Sequence, residues 1–349
     1  MSNAIKILLP ATISFIIGIF MTPVLTHYFY KYKMWRKNSR SDNVPQGEFQ
    51  KIHDEVTELS TPRIGGMIVW LSVIVTIFIL WIANTILGNS STEKLYFISR
   101  GQTLLPLFAL LMASLIGLAD DFVQIFGTGV WATDPIKLRF IKVGIITVLG
   151  FIIGWWFYYK LGISMLYVPW YGLISLGIFF IPFFIFIMLG VWSSSVIDGL
   201  DGLSGGVLAS IFGAYSLIAF FSNQIDLATF CAVVSGGILA FLWFNIPPAR
   251  FYMGETGMIG LTVTLSVIAF LTDTVLLLPI IAFPLFITSL SNIIQMASRK
   301  WRKGKKVFLF APLHHHFEAL GWPKYKVVMR YWIVALMSSV VGVIISMID

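Results

Sequence analysis

The chain has 349 residues, of which 58% are hydrophobic and 11% are charged. A soluble domain carries about 25% charged residues, so this composition excludes an ordinary soluble protein. The formal net charge is +8. The basic residues lie between apolar runs and not along one polar face, which argues against nucleic-acid binding. A single cysteine, Cys231, excludes an internal disulfide and is interpreted as a packed thiol.

Continuous apolar runs are the main feature of the chain, and about 20 apolar residues are needed to cross a bilayer. The first run is longer than the apolar part of a signal peptide and is not followed by a small-residue cleavage site, so we expect a retained span. The sequence predicts one domain, residues 1–349, with an all-α integral membrane fold. The ten predicted spans are residues 6–27, 64–87, 102–119, 138–159, 171–192, 204–222, 227–244, 256–272, 274–297 and 327–347.

Basic residues are concentrated in every second loop between the predicted spans, that is, in the loops on one side of the membrane. The first and last of these loops contain Lys31, Lys33, Arg36, Lys37, Arg40, Lys51, Arg63, Arg299, Lys300, Arg302, Lys303, Lys305, Lys306, Lys324 and Lys326. Loops of the other parity contain only Lys94, Arg100 and Lys160. The positive-inside rule therefore predicts that the basic loops are cytoplasmic and that both termini are outside. The same orientation places nearly all polar motifs on the cytoplasmic face.

Asp120 and Asp121 follow residues 101–119, which contain no charged side chain. Two adjacent acids are costly in lipid, so they are expected to face water, protein or a cation. Solvated acids at a helix end are the alternative interpretation. Lys137 and Arg139, further along the chain, suit phosphate oxygens.

The segment SSVIDGLDGL contains two acids three residues apart, Asp198 and Asp201. On a helical turn they would share a face, and the interleaved glycines allow a ligand to approach the backbone closely. An ordinary Asp-Gly turn is the alternative. The spacing is not that of a calcium-binding EF-hand.

Two more polar segments fall on the same face. The first runs from Asn245 through Tyr252 to Glu255, an acid that could alternatively cap the next helix. The second contains His314, His315 and His316, which cannot easily bind one metal because neighbouring side chains point in different directions. Partial protonation near neutral pH suits them to phosphate contacts; a surface cluster at the membrane interface is the alternative.

Together these segments resemble the polyprenyl-phosphate N-acetylhexosamine-1-phosphate transferases, the glycosyltransferase 4 family. Residues 311–333, APLHHHFEALGWPKYKVVMRYWI, are similar to the histidine loop and last span of the branch that acts in peptidoglycan synthesis. The segments SNIIQ and GLDGL and the spacing from Asn245 to Glu255 also match, so the resemblance covers nearly the whole chain.

The resemblance implies a Mg²⁺-dependent enzyme of the bacterial inner membrane that is active on the cytoplasmic face and forms a homodimer. It would transfer phospho-MurNAc-pentapeptide from UDP-MurNAc-pentapeptide to undecaprenyl phosphate, giving lipid I and UMP. A donor such as UDP-GlcNAc is the first alternative. A transporter is a second, although it predicts ionisable residues at mid-span or broken helices, which the apolar runs lack. An inactive relative is a third.

The resemblance also assigns residue roles. The lipid phosphate would be deprotonated or oriented by Asp120, with Asp121 assisting and Asp198 shaping the nucleotide and metal pocket. The predicted metal ligands are Glu255 and Asp198. The predicted substrate-binding residues are Lys137, Ser195, Leu200, Asp201, Asn245, Tyr252, Gln295, His314, His315 and His316.

Four positions depart from the family pattern. The family usually has Asp at Glu255, Ser at Met258, Asn at Ser195 and Lys at Gln124. Glutamate is one methylene longer than aspartate, and Mg²⁺ tolerates misplaced ligands poorly. The resemblance therefore predicts altered metal affinity or a compensating backbone at this position.

Overall fold

A computed structural model describes residues 2–35, 59–127 and 135–348 of the chain. Four basic residues used in the orientation argument, Arg36, Lys37, Arg40 and Lys51, lie outside the described residues.

Long helices make up most of the described chain. The helices are α1 (Asn3–Lys31), α2 (Met67–Leu87), α3 (Ser90–Leu95), α4 (Leu104–Phe126), α5 (Pro135–Trp155), α6 (Phe180–Ser193), α7 (Leu203–Phe221), α8 (Ile225–Asn245), α9 (Gly254–Leu271), α10 (Leu278–Ile281), α11 (Phe283–Trp301), α12 (Leu313–Ala319) and α13 (Lys324–Ile348). A π-helical turn, Trp156–Lys160, continues α5, and 3-10 turns lie at Gly177–Phe179, Ser194–Ile197 and Val275–Leu277. Among the described residues, 9 helices are long and apolar enough to cross a membrane, or 10 if one bent pair forms a single span. The prediction of an all-α, multi-span membrane protein is confirmed.

A small hairpin lies between α5 and α6, where the sequence predicts only a loop and the start of a span at residue 171. Strands β1 (Met165–Val168) and β2 (Gly172–Ser175) pair antiparallel, with Met165 opposite Ser175. Left-handed backbone at Trp170 and Gly172 closes the turn. The next span therefore begins later than predicted, at Gly177.

Helix α9 lies at the centre of the bundle. Every residue of α9 is buried except Glu255. Its partner is α4, and the two helices approach closely because Gly117 lies against the backbone of Glu255 and Thr256. The Thr256 hydroxyl donates a hydrogen bond to the Ser114 carbonyl at 3.0 Å. The helices run antiparallel, so the end of α4 meets the beginning of α9.

The ninth predicted span, residues 274–297, is wrong as a single helix. The segments Val275–Ile281 and Phe283–Trp301 meet at an angle of 87°. Proline at position 284 explains the break, because proline has no N–H to donate and disfavours helical backbone at the residue before it. The sequence argument that broken helices are absent therefore fails for this span.

Candidate active site

The two adjacent acids lie inside a helix and not in a loop. The predicted third span ends at residue 119, but α4 continues to Phe126. Adjacent helical residues point about 100° apart, so Asp120 and Asp121 face different neighbours. Both side chains are buried, with 8% of Asp120 and none of Asp121 exposed.

Asp121 joins α4 to the first turn of α9. Its Oδ1 accepts the Glu255 N–H at 3.1 Å, and its Oδ2 accepts the Thr256 N–H at 2.8 Å. These N–H groups have no partner within the helix, and the helix dipole favours negative charge at that end. The guanidinium group of buried Arg63 also attracts the carboxylate. Asp121 therefore fixes the backbone that carries Glu255, and its predicted assistance to Asp120 stays a prediction.

The backbone before α9 is equally constrained. Gly254 has a φ of 71°, and a side chain there would collide with the Arg63 carbonyl and come within 2.7 Å of Asp121 Oδ2. The Gly65 N–H donates to the Tyr252 carbonyl at 2.9 Å. Glycine at position 254 therefore allows the segments that contain Arg63, Asp121 and Gly254 to pack together at the start of α9, next to Glu255.

Asp120 pairs with a lysine that the sequence analysis missed. Lys142 Nζ lies 2.8 Å from Asp120 Oδ2 and 3.3 Å from Glu255 Oε1, and Gln124 Nε2 donates to the same Asp120 oxygen at 2.6 Å. Helices α4, α5 and α9 therefore meet in one charged cluster. The available signal was a lysine inside the predicted span 138–159, because a cation in an apolar run needs a partner.

Lys137, the predicted phosphate contact, is exposed on α5. It precedes Lys142 by about 1.4 helical turns and lies on a different side of the helix. Its contact with substrate stays a prediction.

The acids Asp198 and Asp201 have different hydrogen-bond partners. Asp198 Oδ1 accepts a hydrogen bond from the Ser204 hydroxyl at 2.8 Å, and Asp201 Oδ2 accepts the Ala249 N–H at 3.1 Å. The sequence argument for a shared helical face is wrong, because Asp198 ends a 3-10 turn with ψ at 66° and Gly202 is left-handed with φ at 79°. Burial raises the pKa of Asp201 above its ordinary value, against the opposing effects of Ala249 and Lys324.

The two predicted amide residues brace loops. Asn245 accepts the Gly202 N–H at 2.9 Å and donates to the Phe251 carbonyl at 2.8 Å. Gln295 donates to the Phe308 carbonyl at 2.9 Å and accepts two backbone N–H groups from the same segment. Both side chains are buried. Their predicted contacts with the nucleotide sugar stay predictions.

Three other predicted substrate residues lie in the same loops. The Ser195 carbonyl accepts the Asp198 N–H at 3.2 Å within the 3-10 turn, and Leu200 is buried beyond it. The Tyr252 N–H donates to the Pro62 carbonyl at 2.8 Å. The turn Ser194–Ile197 packs against α9 and α11, which brings this loop next to the central helix.

The three histidines point in three directions, as the sequence analysis expects. His314 is fully buried and faces Gly199 of the GLDGL segment, where an added side chain would collide with its Nε2. His315 Nδ1 lies 2.6 Å from Glu318 Oε2. His316 Nδ1 accepts the Leu309 N–H at 3.2 Å. The short helix α12 therefore joins the histidine segment to the GLDGL loop through His314.

The expectation of partial protonation is wrong for His314. Neither of its ring nitrogens has a hydrogen-bond partner among the described residues. Burial, followed by the charge of His315, lowers the pKa of His314 well below its ordinary value. The ring is therefore neutral near pH 7, and it can donate to a ligand from one nitrogen and accept with the other.

The burial of a neutral His314 predicts that the folded protein becomes less stable in acid. Its pKa is lower in the folded protein than the unfolded value of about 6.5, so only the unfolded chain gains a proton just below that pH. The contribution to stability is complete above about pH 6.5 and falls by up to about 1.4 kcal/mol per pH unit below it. Buried Asp201, whose pKa is raised, changes stability in the opposite direction, so the prediction concerns the difference between two proteins. The stability of wild type relative to His314→Gln, measured by thermal unfolding at pH 5 to 8 as an approximate range around the His pKa, should fall as the pH falls.

A matched control for this measurement is His27→Gln, because His27 is an exposed histidine. It should keep the wild-type slope. His315 and Tyr331 also face the His314 ring, so a slope that survives in His314→Gln would assign the acid sensitivity to another group.

The side chains of the site supply only some of the oxygen ligands that a hard divalent cation needs. Carboxylate oxygens of Asp120 and Glu255 lie on either side of one ammonium group. No group of three or more His, Cys, Asp or Glu side chains that could hold a metal occurs among residues 2–35, 59–127 and 135–348. Mg²⁺ is commonly held by one or two carboxylates together with substrate phosphates and water. The ammonium group of Lys142 lies between Asp120 and Glu255, so a cation held by Glu255 would take most of its other ligands from a bound pyrophosphate and water.

A bundle of apolar helices with acids and histidines gathered near the helix ends suits a membrane-embedded transferase, and residues 103–273 match Glycosyl transferase family 4. The chain is 32% identical to the phospho-N-acetylmuramoyl-pentapeptide-transferase of Chloroflexus aggregans over 98% of this chain and 90% of that protein. It is 33% identical to the protein of that name from Geobacillus sp. strain WCH70, over 96% of both chains. The Clostridium perfringens protein of that name is 32% identical over 95% of this chain and 96% of its own. The chain belongs to the phospho-N-acetylmuramoyl-pentapeptide-transferase family.

Proposed function

We propose that this protein transfers phospho-MurNAc-pentapeptide from UDP-MurNAc-pentapeptide to undecaprenyl phosphate, giving lipid I and UMP. The observation that carries the proposal is similarity over 95% or more of this chain to relatives with that transferase name. We treat residues 1–349 as one catalytic domain.

The site chemistry suits phosphoryl transfer, in which positioning and charge neutralisation matter more than covalent chemistry by the protein. In this proposal Asp120 orients the phosphate of the lipid acceptor and removes its proton. Asp121 and Gly254 hold Glu255 beside it. When bound, Mg²⁺ would neutralise the pyrophosphate of the donor, and Glu255 and Asp198 are the residues proposed to hold it.

The histidine segment supports a role in binding phosphate. His314 is a buried, neutral ring without a protein partner among the described residues, and it faces the glycine between Asp198 and Leu200. A substrate oxygen would supply the missing hydrogen bond, which buried polar groups normally have. Lys137, Ser195, Asp201, Asn245, Tyr252 and Gln295 complete the proposed donor site.

A cavity beside α12 supports a lipid acceptor. Its volume is about 280 Å³, its walls are formed by the start of α11, by α12 and by α13, and its lining surface is apolar. Phe283 and Pro284 line it at the break in the ninth span, and Phe317 and Trp322 line it on the histidine side. The cavity has room for only part of a polyprenyl chain, and isoprene units bound there would have the phosphate near the histidine segment.

The proposed setting is the bacterial inner membrane, with the site on the cytoplasmic face. The basic residues after α11 support this orientation, because positive charge collects in cytoplasmic loops. Both termini then lie outside if the bent pair crosses the membrane as one span. We also propose a homodimer, on the resemblance alone, and no nucleic-acid partner.

The test is UMP release by purified protein supplied with undecaprenyl phosphate, Mg²⁺ and UDP-MurNAc-pentapeptide. A parallel reaction contains UDP-GlcNAc as the donor. We expect UMP and a lipid-linked product only with the muramoyl donor. Release only with UDP-GlcNAc would replace this proposal with the second candidate, and release with neither donor would remove both.

A further inference from the structure

Lys142 is the charged residue of the site that no sequence motif indicates. It lies in α5 with 21% of its side chain exposed, and it contacts carboxylates from two other helices, Asp120 of α4 and Glu255 of α9. A lysine in an apolar helix is costly unless it is paired. The pairing explains why it is tolerated there, and its place next to Asp120 puts it at the proposed reacting group.

In the described part of the chain, both hydrogen bonds to Asp120 fall on one carboxylate oxygen. Lys142 and Gln124 both donate to Oδ2, and Oδ1 has no hydrogen-bond partner among the described residues. Some fully buried side-chain atoms of the described residues have no hydrogen-bond partner, and Oδ1 is not one of them. Two donors on one oxygen restrict the rotation of the carboxylate and leave Oδ1 without a donor among the described residues.

The length of Glu255 matters to this arrangement. Its Oε1 reaches Lys142 Nζ at 3.3 Å, which is already a long contact. Aspartate is one carbon–carbon bond shorter, roughly 1.5 Å, and Asp121 holds the first N–H groups of α9 in place. An aspartate at this position would therefore lengthen and weaken the contact with Lys142.

We propose that Lys142 is a positioning residue for the transfer reaction and that it works as a pair with Glu255. Its ammonium group neutralises two adjacent carboxylates and orients Asp120 toward the lipid phosphate. This inference rests on the proposed function. It predicts that the glutamate in this chain is a requirement of the site and not a handicap.

The competing interpretation is that the ion pair only holds the helices together. The two interpretations differ in what a variant changes. A positioning residue lowers the kcat of the folded protein at nearly constant KM, whereas a packing residue lowers only the midpoint of thermal unfolding and leaves the turnover of the folded fraction unchanged. Lys142→Met removes a buried ion pair and lowers the midpoint under both interpretations, so kcat per folded protein decides between them.

The experiment measures UMP release per folded protein, KM for undecaprenyl phosphate and thermal unfolding for Lys142→Met, Lys142→Arg, Glu255→Asp and the variant with both Lys142→Met and Glu255→Asp. We expect Lys142→Met to lower kcat on the order of 100-fold and Lys142→Arg to recover part of the loss. Glu255→Asp should lower kcat in the wild-type background and have little further effect in the Lys142→Met background.

Lys160→Met is the matched control, since Lys160 is an exposed lysine at the far end of the same span, about 27 Å away along the helix. It should keep wild-type kcat. The inference is overturned if Lys142→Met keeps its kcat, if Glu255→Asp raises kcat, or if the two effects are additive. A wild-type protein that releases no UMP from either donor overturns the proposed function instead.

Discussion

Replacing Asp120 with Asn is expected to lower UMP release by about 10²–10⁴-fold, the range for loss of a group that transfers a proton. The amide keeps the shape of the carboxylate but cannot take a proton from the lipid phosphate. It also leaves Lys142 without the nearer of its two charged partners. The measurement is kcat per folded protein, with thermal unfolding as the check that the variant is folded.

Glu93→Gln is the control for the Asp120 variant. Glu93 is an exposed acid in the short helix α3, so neutralising it should leave the rate unchanged. A near-normal rate for Asp120→Asn would remove Asp120 from the chemistry. The proposal would then need another group to orient the lipid phosphate.

Replacing Gly254 with Ala is expected to have the largest effect on folding. An L side chain in the left-handed region costs about 1–2 kcal/mol, and forcing an atom into a packed region costs about 1–3 kcal/mol more. Here the added methyl group would meet the Arg63 carbonyl and the Asp121 carboxylate. We expect a large fall in the midpoint of thermal unfolding and loss of UMP release.

Gly304→Ala separates the two costs. Gly304 is also left-handed, with a φ of 86°, and no atom of the described residues lies within 4 Å of where its side chain would stand. Gly304→Ala should lower the free energy of unfolding only by the cost of the left-handed backbone, about 1–2 kcal/mol, and should keep its activity. Equal destabilisation by the two variants would show that the contacts of Gly254 contribute nothing.

The membrane-spanning helices could be predicted because their signal is local. An apolar run long enough to cross a bilayer must form a helix, since no water is available there to satisfy the backbone. Nine helices in the described chain follow from this rule. The break at Pro284 could not be predicted from this rule, because a proline in an apolar run bends some helices and begins others.

The polar segments proposed to carry the site could also be identified from the sequence, but the contacts between them could not. Asp120 is conspicuous as an acid at the end of an apolar run, and Asp198 by its spacing from Asp201 and the interleaved glycines. The capping of α9 by Asp121 joins residues 134 and 135 positions apart, and no local pattern encodes such a distance. The burial of His314 against Gly199 is of the same kind.

Sequence by itself determined the fold class, the membrane setting and the family of this protein, because these depend on composition, run length and short motifs. Only the tertiary structure decided which of the polar residues touch one another. Lys142 shows the difference most clearly. Within the sequence it is one lysine near the start of an apolar run; in the folded protein it bridges Asp120 and Glu255. The physical reason is that a buried charge is tolerated only where folding supplies its partner, and those partners come from other helices.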